Sequence, residues 1–166
     1  MKTETHSNTH QITGYPERHP YRKLLVMIVV SFAAMYLLMY AMVDAWKNVI
    51  PNVNQFYMAG LMAGAMVVIE LLVMFSMYPN RKLNVALIAL AVLATFGFYC
   101  GIRQQTFVSD EQFLKSMIPH HAAAILMVEK TPLQDPEIKA LGNSIISAQQ
   151  QEIDFMKRKL DELKSN

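Results

Sequence analysis

The chain has 166 residues, 53% of them apolar, and a formal net charge of +2. So even a balance leaves no basic footprint for nucleic acid, and the single cysteine, Cys100, excludes an intramolecular disulfide. The apolar residues fall in long runs, which excludes one ordinary soluble core as their destination.

Residues 1–20 are rich in Thr, Ser, Asn and His and include Pro16 and Pro20. This composition predicts a mobile tail over residues 1–22. His6 and His10 stand four apart, a spacing that clips a metal on a helix but arises by chance in a tail.

Three apolar runs follow. Leu24 to Val43 carries no charge, Phe56 to Tyr78 carries only Glu70, and Leu83 to Ile102 again carries none. A helix of about twenty apolar residues spans a bilayer core of roughly 30 Å, so residues 23–103 are expected to form a three-helix transmembrane module. Arg18, Arg22 and Lys23 precede the first run as they would a secretory signal. Signal cores are shorter, about 7–15 residues, and end at a small-residue cleavage site. Met42-Val43-Asp44-Ala45-Trp46 offers none, so this run is read as a retained span.

Basic residues near the span ends set the orientation. Arg18, Arg22 and Lys23, with Arg81 and Lys82 of the second loop, outnumber Lys47 and Arg103 on the other side. This predicts a cytoplasmic N-terminus in a bacterial inner membrane, with everything after Arg103 periplasmic or extracellular.

From residue 104 the pattern turns amphipathic. Ser109 and Gln112 make a capping box that starts a helix near Asp110, and Thr131-Pro132 stops it. Asp135-Pro136 caps a second, long helix, whose face is marked by Ile138, Leu141, Ile145, Ile146, Ile153, Met156, Leu160 and Leu163. Residues 104–166 are therefore expected to fold as an antiparallel helical hairpin. The whole chain reads as all-α. A hairpin alone buries too little apolar area to be stable, so a second copy is expected to complete a four-helix bundle.

On the first hairpin helix, Met117, His120, His121, Ala124, Met127 and Val128 share an arc of roughly 120°. Imidazole binds Cu, Zn, Fe and Ni, whereas thioether selects soft Cu(I). The competing reading makes the histidines interfacial and the methionines core filler. Pro119 removes a backbone bond to Lys115 and is expected to kink this helix. On the second helix Gln149, Glu152 and Met156 share a face, as further ligands or as partners that orient the histidines.

The stretch from Ser109 to Leu160 resembles domain-of-unknown-function family 305, a helical family related to ferritin-like bundles. Phe113, Met117-Ile118-Pro119-His120-His121, Ala124 and Met127, then Gln149, Glu152, Ile153 and Met156, carry the resemblance. It implies copper or silver handling outside the cytoplasm, with His120, His121, Met117, Met127 and Met156 as ligands. Lys157-Arg158-Lys159 departs from the aromatic residue that often follows the last Met. The three-span module lies outside the resemblance.

The spans have their own pattern. Met35, Met39 and Met42 cluster on the first, and Met58, Met62, Met66, Glu70 and Met74 recur every four residues on the second. With Cys100 these converge toward the outer end as a candidate relay for Cu(I) or Ag(I), against a plainer reading as flexible packing. Gly60 and Gly64 suit close helix packing on the other face. Glu70 reads as a mid-bilayer acid, costly unless protonated or paired with Asn84.

These observations together predict a membrane-anchored protein that sequesters or transfers Cu(I), with Ag(I) second and zinc or iron behind. The bilayer, another copy of the chain and a metal donor or acceptor protein are its expected partners. Neutral histidine is needed for binding, so affinity should fall as pH drops through about 6.5. The main alternative is a helical assembly module without metal. A di-iron oxidase would need Glu-x-x-His pairs, which the histidines lack, so no enzyme is expected. A transporter working through Glu70 would need several copies.

Overall fold

The computed structural model describes residues 20–165. Residues 1–19 of the predicted tail, with His6, His10 and Arg18, lie outside them, whereas Pro20, Tyr21 and Arg22, expected in the tail, open the first helix. Five α-helices follow one another: α1 (Pro20–Leu38), α2 (Val53–Val73), α3 (Arg81–Gln104), α4 (Asp110–Lys130) and α5 (Pro136–Ser165). No strand occurs among the described residues. The all-α expectation holds.

α1, α2 and α3 are each long and apolar enough to cross a membrane. α2 is the central helix, packed on α3 and on α1. Gly60 and Gly64 let α3 approach as the sequence predicts. A Cβ at Gly60 would meet the Phe98 ring at 2.6 Å, and one at Gly64 would collide with the Thr95 hydroxyl. Between the spans runs an apolar groove of about 430 Å³ walled by Leu24, Phe32, Ala63, Leu87 and Phe98.

α1 tightens at its end into a 3-10 turn, Met39–Met42. Tightening leaves helical carbonyls without their usual donors. One of them, on Tyr36, accepts from the side-chain amide of buried Gln55 at 3.0 Å.

The second span is displaced from the sequence reading. Asn52 caps α2 by accepting from the Gln55 backbone N–H at 2.9 Å, so the helix starts at Val53, ahead of the apolar run. It stops at Val73, where the chain enters a turn. Glu70 therefore sits in the last turn of α2, not at mid-bilayer. Its partner is Tyr78, whose hydroxyl donates to Glu70 Oε1 at 3.0 Å. Asn84 does not pair with it. Fully buried Asn84 accepts from the Tyr21 hydroxyl at 2.9 Å and donates to the carbonyls of Phe75 and Tyr78. The ends of the three spans away from the hairpin are thus tied by a polar knot.

α4 and α5 form the expected antiparallel hairpin. Ser109 accepts from the Gln112 N–H, and Asp135 accepts from the N–H groups of Glu137 and Ile138, at 2.8 and 3.0 Å. Ile118, Ala122 and Ile125 of α4 close on Ile153, Met156 and Leu160 of α5. Val43 and Ile50, from the loop between α1 and α2, pack against the same core. Part of the missing cover is thus supplied within the chain.

The hairpin is fastened to the spans by hydrogen bonds across the chain. Gln112 accepts from the Val53 N–H at 3.2 Å, Asn54 donates to the Ser116 hydroxyl at 3.2 Å, and the Tyr57 hydroxyl donates to the Thr106 carbonyl at 2.6 Å. The intervening turn uses two left-handed residues, Gln105 (φ 51°) and Phe107 (φ 59°), which non-glycine residues seldom adopt. The Gln105 amide exchanges two hydrogen bonds with Asn54, at 3.0 and 3.1 Å, and holds the bend.

Candidate metal centre

His121 lies on the core side of α4, only 8% exposed. Its Nδ1 is 2.9 Å from the Met117 carbonyl oxygen, one turn back on its own helix. A carbonyl can only accept, so Nδ1 carries a hydrogen and donates. Nε2 is then turned toward α5, 2.6 Å from Glu152 Oε2. At that distance the ring and the carboxylate are hydrogen-bonded. The contact is charge-assisted and joins the two helices. Glu152 is 57% exposed at its side chain, so it reaches His121 from the solvent side.

The neighbouring His120 is exposed, its ring centroid 6.2 Å from that of His121 at an interplanar angle of 62°. Met117, one turn earlier, packs partly buried against the hairpin core, and Met156 is buried inside it. The structure therefore joins His121 to Glu152 with His120 beside it, while Met117 stands one turn earlier on α4 and Met156 one turn later on α5.

It does not bring in Met127. That residue is 52% exposed and seven positions beyond His120, about 10 Å along the helix axis at 1.5 Å per residue. The shared arc places Met127 on the same face, but rise places it two turns away. Gln149 is half-buried on α5, one turn from Glu152. Pro119 is buried within a continuous α4. The carbonyl that engages the His121 ring belongs to Met117, not to Lys115.

Among the described residues, no group of three or more His, Cys, Asp or Glu side chains gathers to hold an ion. A metal at this level would consequently need sulfur from Met117 or Met156 beside the imidazoles. That donor chemistry fits a soft monovalent ion better than zinc or iron. It requires Glu152 to leave His121 Nε2, which its exposed position permits.

The candidate relay in the spans is less convergent. Met42, Met58 and Met62 are exposed on the outside of the module, while Met39 and Cys100 are half-buried. The groove between the spans has no ionisable wall, and Glu70 is not part of it.

The sequence did not point to Lys157. Its ammonium donates to buried Asn48 Oδ1 at 2.5 Å, and Asn48 in turn donates to Asp44 at 2.6 Å. The departure from the aromatic pattern noted at Lys157 was the available signal. It marks where α5 docks on the first loop.

A three-span membrane module bearing an α-hairpin with a histidine–carboxylate bridge is the class that fold and site define. Residues 103–165 match the family model described as domain of unknown function, DUF305. The chain is also 37% identical over 149 residues to the uncharacterized protein L153 of Acanthamoeba polyphaga mimivirus, covering 85% of this chain and 93% of that protein. It belongs to the same family as that protein, spans included. No solved structure matches it.

Proposed function

We propose that this is a membrane-anchored protein that binds Cu(I), or Ag(I), in its hairpin and sequesters it or hands it on. The observation that supports this reading is the exposed His120 beside a His121 whose second nitrogen is guarded only by a surface carboxylate, with the Met117 thioether one turn away. In this reading Met117, His120 and His121 supply the first donors, and Met156 lies behind them. Glu152 holds His121 until the ion displaces it, and the spans anchor the hairpin at the outer face of a bacterial membrane. The test is a Cu(I) titration of the detergent-purified protein against a competing chelator, with His120→Ala/His121→Ala alongside. Tight binding lost in the variant supports the reading, and equal binding in both removes it.

A second reading, an assembly module, is favoured by one observation. Phe113, Met127, Ile138, Leu141 and Phe155 are each about half exposed on the hairpin, apolar surface that a partner helix would cover. Phe113, His120 and Met127 repeat every seven residues on α4, so a second copy docked there would also cover His120. Multi-angle light scattering of wild type against Leu141→Arg/Phe155→Arg separates the readings. A dimer lost in that variant but indifferent to copper would make assembly the function.

A further inference from the structure

Where α5 returns to the first loop, Lys47, Lys157 and Lys164 converge with Ile50, Leu160 and Asp161 around an open cleft of about 260 Å³. Three lysines and one aspartate line it, and Asp154 and Asp44 stand near Lys157 behind them. We propose that this cleft binds a phosphate group at the membrane surface, one carried by an anionic lipid headgroup or free in solution.

Depth is the first argument. The first candidate span ends at Met42 and the next begins at Val53, so Lys47 and Ile50 lie on the short loop just outside the apolar core. Trp46, beside Lys47, is 91% exposed, and indole rings settle at the bilayer–water interface. The cleft therefore lies at the level of the lipid phosphates.

Construction is the second. Ile50 and Leu160 give the lysine stems an apolar floor, the usual arrangement for long basic side chains. Lys157 is not a loose surface lysine. Buried Asn48 holds it through one N–H, leaving two further donors on the same ammonium.

Chemistry is the third. A phosphate seated among Lys47, Lys157 and Lys164 would take charge-assisted hydrogen bonds from their ammonium groups.

The experiment uses full-length protein and a Lys47→Gln/Lys164→Gln variant, which leaves the Lys157–Asn48 bond in place. Circular dichroism confirms that both are folded. Each is reconstituted into nanodiscs of phosphatidylcholine alone, of phosphatidylcholine with phosphatidylglycerol, or of phosphatidylcholine with inorganic phosphate added. Native mass spectrometry then counts retained phosphatidylglycerol or phosphate. Wild type is expected to hold phosphatidylglycerol at least about tenfold more strongly than the variant, since each basic residue near an anionic surface contributes appreciably. Retention of inorganic phosphate alone, lost in the variant, would make the ligand a soluble phosphate. Equal retention by both proteins in every arm overturns the proposal.

Discussion

His121 Nε2 and Glu152 Oε2 stand 2.6 Å apart across the hairpin, while the other nitrogen of the same ring is 2.9 Å from the Met117 carbonyl oxygen. One imidazole therefore fixes its own helix and the facing one at once. The bridge is a structural clasp in the metal-free chain, and in the proposed function it is also the bond that an ion has to replace.

Glu152→Ala separates these two roles. The nearly buried ring would lose its cross-helix partner, and leaving such a group unsatisfied costs about 1–3 kcal/mol. The lower end applies here because Glu152 is largely exposed. Thermal unfolding of the detergent-solubilised variant should show a lowered midpoint. Cu(I) affinity should rise in the same variant, because His121 Nε2 no longer has to be released. A fall in both would place Glu152 among the ligands.

Close packing of the second and third spans gives a steric prediction. Gly64→Val puts a branched side chain where the Thr95 hydroxyl lies. Overpacking of this kind costs about 1–3 kcal/mol. Unfolding in a dodecyl sulfate titration should shift to lower detergent fraction, whereas Gly97→Ala, whose Cβ would meet no atom within 4 Å, should leave it unchanged.

Tyr21→Phe tests the polar knot at the span ends away from the hairpin. It removes the hydroxyl that donates to Asn84 and accepts from the Asn80 N–H. Hydrogen bonds within membrane proteins average about 0.6 kcal/mol by double-mutant cycle. A modest loss in the same titration is expected, and Asn84→Leu, which strips a fully buried amide of three partners, should lose more.

Two groups outside the spans set pH dependences of the same sign in separate windows, one alkaline and one acidic. Burial, then Lys47, holds the Lys157 ammonium below its ordinary value of 10.5. A base depressed in this way opposes the fold while charged, so docking of α5 should tighten as pH rises from its folded value toward 10.5. The Glu111 carboxylate is lowered below 4.5 by its hydrogen bond to Lys115 at 2.6 Å. Its contribution is present above 4.5 and fades as pH falls through the lowered value. Trp46 fluorescence followed through thermal unfolding at several alkaline pH values reads the first effect. The alkaline gain should vanish in Lys157→Gln, and an identical slope in both proteins would assign it elsewhere.

Local chemistry made much of this molecule legible in the sequence. Ser109 and Asp135 cap the helices they were expected to cap, and Gly60 and Gly64 face the third span. Periodicity placed Met117, His120 and His121 on one broad arc, of which His121 turns to the core and His120 to solvent. It failed where distance along the axis mattered, because Met127 shares the angle of His120 but stands two turns away. The limits of α2 were misread because Asn52 and Gln55 look like loop residues until their side chains are seen capping helix ends. Lys157–Asn48 joins residues 109 positions apart, a pairing no local pattern encodes.

That same separation orders the birth of the protein. Val43, Asn48 and Ile50 leave the ribosome early, but the helix that covers them is finished only with Leu160 and the residues after it. Until then the first loop waits with Asn48 exposed and its apolar neighbours wet. The hairpin thus closes on this loop only once α5 has been made, and a nascent chain stalled before α5 should present the loop to a protease that the folded protein resists.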